Sequence, residues 1–109
     1  MMSNRRRNPA RDANEPEIVA ALQAHGWTVE RLNGRGVPDL LLGKNGVNVL
    51  QEVKRPPGPR GGTKGRELNA DQLRWHAAWN GQACIVRTAE EAVDAAEREL
   101  RLRFYVAAD

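Results

Sequence analysis

An acid and a lysine two residues apart, Glu52 and Lys54, end the run Val49-Leu50-Gln51-Glu52-Val53-Lys54. In a β-strand successive side chains alternate between faces, so Glu52 and Lys54 share one face while Val49 and Val53 share the other. Charged groups on the more buried part of a sheet are costly unless something compensates them. A second acid opens another short apolar run, Asp39-Leu40-Leu41-Leu42-Gly43. If the two runs form a hairpin, Asp39 comes beside Glu52 across the sheet. Two carboxylates pressed together repel unless a shared proton or a cation neutralises them. Oxygen-only ligands suit Mg²⁺, with Mn²⁺ as a substitute, and no His/Cys set for zinc accompanies them. An ion bridging carboxylates and a substrate phosphate supports phosphodiester hydrolysis, with Lys54 holding the attacking water or the developing charge. The plain alternative is a Glu52–Lys54 salt bridge, with Asp39 a turn residue after Pro38.

The elements that must position these residues follow from punctuation and period. Glu15 to Gly26 reads as a first helix, with Pro16 in its first turn, Gly26 as its stop, and Ile18, Val19 and Leu22 on one stripe. Trp27 to Leu32 alternates apolar and polar residues and reads as a strand. Asn33 to Gly36 is a loop, and Asp39 to Gly43 a short buried strand. Asn45-Gly46 marks a tight hairpin into the strand Val47 to Lys54, which Pro56, Pro57 and Pro59 end. Leu68 to Trp79 reads as a second helix, Gln82 to Arg87 as a fourth strand, and Thr88-Ala89-Glu90-Glu91 as the capping box of a last helix running to about Phe104. The order α-β-β-β-α-β-α predicts an α/β domain with a mixed four-stranded sheet flanked by helices on both faces.

The surroundings of the acid pair resemble a known family. Gly36-Val37-Pro38-Asp39 followed by Glu52-Val53-Lys54 resembles the signature of the PD-(D/E)XK nuclease superfamily. The helix from Glu15 into Trp27 is similar to the first helix of archaeal Holliday junction resolvases, and Leu68 to Trp75 is similar to the motif after the active site in the VRR-NUC branch. The resemblance implies a restriction-endonuclease-like fold. It makes Asp39 and Glu52 metal ligands, aided by the Val53 carbonyl, and Lys54 the catalytic lysine. Glu15, with Glu17 as the competing choice, would complete the metal set. Gln72 would lie by the active site. The substrate implied is structure-selective, a branched or junction DNA, cut by a symmetric dimer.

The 109 residues suit one domain, read as a flexible basic arm over residues 1–13 and a single nuclease domain over residues 14–109. Such a domain has no room for a separate sequence-reading module, which favours recognition of shape. A net charge of +3 gathers at Arg5, Arg6, Arg7 and Arg11 and again in a Gly/Pro-rich stretch, fitting a polyanion partner. Arg35, Arg55, Arg60, Lys64 and Arg66 are the expected phosphate contacts. No apolar run is long enough to span a bilayer, and no secretory leader is read at the start. The single Cys84 reads as a buried free thiol in a reducing cytoplasm. The standalone size fits a phage or mobile-element origin, with action in the host cytoplasm. Trp75 and Trp79 share a helix face as core or dimer-interface residues, His76 can face the site, and His25 ends the first helix. Two other functions remain open: a basic nucleic-acid-binding module of the same fold without catalysis, and a partner-binding protein with a salt-bridged sheet.

Overall fold

A computed structural model describes residues 11–58 and 66–108. The helix α1 (Glu15–Ala24) leads into the strands β1 (Thr28–Arg31), β2 (Leu40–Lys44) and β3 (Val47–Val53). A second helix α2 (Ala70–Ala78), a short strand β4 (Cys84–Val86) and the long helix α3 (Ala89–Ala108) follow. The strands lie in the order β1-β2-β3-β4. β1, β2 and β3 form an antiparallel meander, and β4 joins β3 in parallel. The α/β class, the mixed sheet and the element order are those expected from the sequence.

Local chemistry explains the boundaries. Gly26, at φ +90, ends α1 with two bonds, Gly26 N–H to Gln23 O and Trp27 N–H to Leu22 O, the pairing of a Schellman motif. Asn45 and Gly46, at φ 52 and 80, form the tight turn between β2 and β3 and fix the register Lys44↔Val47. α2 starts two residues later than expected. Asn69, in extended conformation, caps it, and a capping box joins the side chains of Asn69 and Gln72 to each other's backbone. At α3 the Thr88 hydroxyl accepts from Glu91 N–H, while the Glu91 carboxylate reaches back to Arg87 N–H. β4 is only three residues long. The Gln82 carboxamide extends its pairing by accepting from Leu50 N–H and donating to Leu50 O.

Strand alternation sorts the sheet into two faces. Leu40, Leu42, Val49, Val53 and Val86 join Ile18, Leu22, Trp27, Ala92, Ala96 and Leu100 in one core, between the sheet and the pair α1 and α3. Each aliphatic side chain buried there contributes roughly 1.5–3 kcal/mol. Buried Gln51 points into the same layer and donates to Ala92 O on α3. The opposite face carries Leu41, Leu50, Glu52 and Ile85. Among the described residues it is covered at one end, where α2 reaches Glu52, and Ile85 is exposed. The expectation of helices on both faces is therefore met in part, because α2 buries none of its residues fully.

The β1–β2 loop approaches α2 closely at Gly36. A Cβ there would lie 2.6 Å from the Asp71 carbonyl oxygen, and the residue has φ +76. Gly46 shares the positive φ, but nothing lies within 4 Å of its Cβ position. Gly46→Ala is expected to cost about 1–2 kcal/mol from backbone conformation alone. Gly36→Ala should cost at least about 1 kcal/mol more through the clash. Urea unfolding of both variants checks this, and equal losses would contradict the close approach.

Candidate active site

Asp39, Glu52 and Lys54 meet at one end of the sheet. The register pairs Leu40 with Gln51, so Asp39 and Glu52 fall opposite each other one step further on. Asp39 lies just before β2, and its Oδ2 accepts from Val53 N–H at 2.8 Å, supplying the bond that a strand carbonyl would give. Its own carbonyl accepts from Leu32 N–H, closing the loop. Lys54 lies just past β3 yet stays in frame, because its N–H bonds Val86 O on β4. Lys54 Nζ is 3.9 Å from Glu52 Oε2, and Glu52 is 1% exposed. All three line a cavity of about 290 Å³, together with Val53, Gln72, Asn69, Arg11, Asp12 and the loop around Gly34 and Gly36.

Glu52 has two unlike oxygens. Oε2 accepts from Gln72 Nε2 at 2.9 Å, while Oε1 is buried and accepts no hydrogen bond among the described residues; the carboxyl also lies within hydrogen-bonding reach of Asp39. Burial, followed by the facing Asp39 carboxyl, pushes the Glu52 pKa up to about 9. Asp12 is also raised, again mainly by burial, with Lys54 opposing. A site of acids that resist ionising is one that gains from an added cation.

Glu15, expected as a metal ligand, is placed differently. Arg11 Nη1 donates to both of its oxygens at 2.9 and 3.1 Å, and Arg31 Nε donates to Oε2 at 2.8 Å. Its carboxylate is thus engaged by two guanidinium groups, and it does not line the cavity. The acid from the N-terminal side that does line it is Asp12. Glu17 is exposed on α1. Arg11 and Asp12, assigned to the arm by sequence reasoning, belong to the cavity wall. Arg11 also donates to Leu32 O and Asn33 Oδ1 and lies 3.7 Å from Asp39 Oδ1. The Asn14 side chain donates to Lys54 O and Arg87 O, tying the start of α1 to the ends of β3 and β4. No periodic signal marks Arg11, Asp12 or Asn14. Asn69-Ala70-Asp71-Gln72 does carry a signal, the capping-box spacing.

Of the expected phosphate contacts, Arg35, Arg55 and Arg66 are among the described residues and do not line the cavity. Arg35 is highly exposed and bonds Asp71, whose pKa it lowers; Arg74 pairs with the same carboxylate. Arg55 lies 4.0 Å from Asp12. Arg66 donates to Pro56 O, and Arg87 Nη1 donates to the carbonyls of both Arg55 and Arg66. Arg60, Lys64 and residues 1–10 lie outside the described residues. Trp75 and Trp79 stack at 4.9 Å, but Trp79 is exposed, so the pair is not core. His76 packs edge-on against Trp75 and does not line the cavity. His25 sits at the end of α1, as expected, with Nδ1 3.0 Å from Ala21 O. Cys84 is partly buried, and burial pushes its thiol up to about 11, which disfavours the thiolate.

Among the described residues no three His, Cys, Asp or Glu side chains are grouped to hold one metal ion. The acids that face each other are Asp39 and Glu52. Mg²⁺ is commonly held by one or two carboxylates together with waters and substrate phosphates, so this donor set fits it. The unpartnered Glu52 Oε1 is the oxygen with coordinating capacity to spare.

A carboxyl group whose folded pKa lies above its unfolded value binds its proton more tightly in the native state. Its contribution is full below about 4.5 and is lost as pH rises toward 9. In EDTA, Glu52→Gln should therefore gain stability relative to the wild type progressively across that interval. Urea unfolding at pH 5 and pH 8.5 measures the difference; a pH-independent gap would contradict the buried, proton-retaining carboxyl.

The chain matches no family model, no curated protein and no solved structure, so its functional reading rests on this geometry.

Proposed function

We propose that this protein is a Mg²⁺-dependent DNA endonuclease with a restriction-endonuclease-like fold, related to the PD-(D/E)XK nucleases. The observation that carries the proposal is the convergence of Asp39, Glu52 and Lys54 on one cavity, with Glu52 Oε1 buried and unpartnered. A salt-bridged sheet accounts for the Lys54–Glu52 pair but gives no reason for a second carboxylate, Asp39, to face Glu52 across a cavity.

Asp39, Glu52 and the Val53 carbonyl are the groups that would hold the ion. When bound, it would supply positive charge to a phosphodiester oxygen and make a water more acidic. The Val53 N–H orients Asp39. Gln72, on α2, holds Glu52 through the bond from its Nε2 to Oε2. Lys54, as an ammonium, would stabilise charge developing on the phosphate or orient the attacking water. Arg11 adds a cation beside Asp39, and Arg35 and Arg74 set positive charge on the rim near α2. These surroundings favour a polyanion, and the small domain favours branched or junction DNA bound as a homodimer.

Asp39→Ala, Glu52→Ala and Lys54→Ala should each reduce cleavage of a branched DNA substrate in Mg²⁺ by at least about 100-fold. Their circular dichroism should match the wild type. The wild-type reaction should stop in EDTA and resume with Mn²⁺. Appreciable cutting by Glu52→Ala would defeat the assignment. DNA binding by the wild type without metal-dependent cutting would favour the non-catalytic module.

A further inference from the structure

We propose that Asn69 is a positioning residue for the ion-holding carboxylate, acting through Gln72. This inference rests on the site reading above and adds a residue to it.

Three hydrogen bonds run in series from the start of α2 to Glu52. The Asn69 side-chain oxygen accepts from Gln72 N–H at 2.9 Å. The Asn69 backbone N–H donates to Gln72 Oε1 at 2.9 Å. Gln72 Nε2 donates to Glu52 Oε2 at 2.9 Å. The second bond decides the orientation of the carboxamide. With Oε1 committed to Asn69, the group presents only its NH₂ to Glu52. Glu52 Oε2 is thereby held as an acceptor, and Oε1 is left as the oxygen available for coordination. Asn69 and Gln72 both line the cavity, so the brace stands at its wall.

A capping box ordinarily serves its own helix. Here α2 buries none of its residues fully, so packing alone holds its first turn weakly. The Asn69 side chain sets the backbone position of Gln72, and that position sets the reach of its amide. Partners of this kind, bonded to a ligand rather than to the ion, typically change metal affinity by about 10–100-fold.

The test is Mn²⁺ binding to the full-length protein by isothermal titration calorimetry, with thermal melting read on each variant. Asn69→Ala should weaken Mn²⁺ binding about tenfold. Asn69→Ser, which keeps a capping oxygen without adding charge, should bind within about twofold of the wild type. In a Gln72→Ala background, Asn69→Ala should bring no further loss, because the route to Glu52 is already cut. Unchanged Mn²⁺ affinity in Asn69→Ala beside a lowered melting temperature would overturn the proposal and leave Asn69 as a helix cap only. Additive losses in the double variant, or no rescue by serine, would overturn it as well. A wild type that binds no Mn²⁺ would instead overturn the reading of the site on which the proposal stands.

Discussion

The burial of one carboxyl group governs this molecule. Glu52 sits almost wholly out of solvent on the face of β3 opposite the hydrophobic core, with Asp39 facing it and Lys54 beside it. Its neighbours Gln51 and Val53 point the other way, into the layer beneath α1 and α3. One strand therefore anchors the fold with alternate side chains and presents the acid with the rest. The cost of desolvating that acid has to be met locally. The Gln72 amide meets part of it, and the lysine a further part. The remaining oxygen accepts no hydrogen bond among the described residues, and the carboxyl lies within hydrogen-bonding reach of Asp39.

Around this centre a second polar network holds the N-terminal side of the chain in place. Glu15 lies at the mouth of α1 between the guanidiniums of Arg11 and Arg31, which come from before the helix and from β1. Arg11 spans from Glu15 to the Leu32 carbonyl, and Asn14 spans from the helix start to the ends of β3 and β4. These contacts join segments far apart in sequence to a single rim. Breaking a buried pair of this kind typically costs about 3–5 kcal/mol, because the surviving charge is left unmatched. The half-exposed Arg31 softens that figure here. The rim is thus stiff on its α1 side and lighter on its α2 side.

What could be read from the sequence was whatever has a period or a fixed offset. The alternation of β3 put Glu52 and Lys54 together, the Asn45-Gly46 turn set the register, and the register carried Asp39 to Glu52. The meander, the crossover through α2 and the last helix followed from similar cues. Contacts between a side chain and a distant backbone group have no such offset. Arg11 to Leu32, Asn14 to Arg87 and Asp39 to Val53 were invisible for that reason. Glu15 was matched to a role by position in a motif, whereas its partners, Arg11 and Arg31, are set by the three-dimensional path of the chain. Leu68 falls outside α2 because the Asn69 side chain caps the helix one residue after it.

One nitrogen of Arg87 binds the carbonyls of both Arg55 and Arg66, bringing together the two ends of the stretch that leaves β3 and returns toward α2. Lengthening or recoding the chain between those ends adds closure entropy only slowly, about 0.6 kcal/mol per doubling of length. Loss of the Arg87 side chain would release both carbonyls at once, so one substitution loosens two segments that the backbone alone does not join.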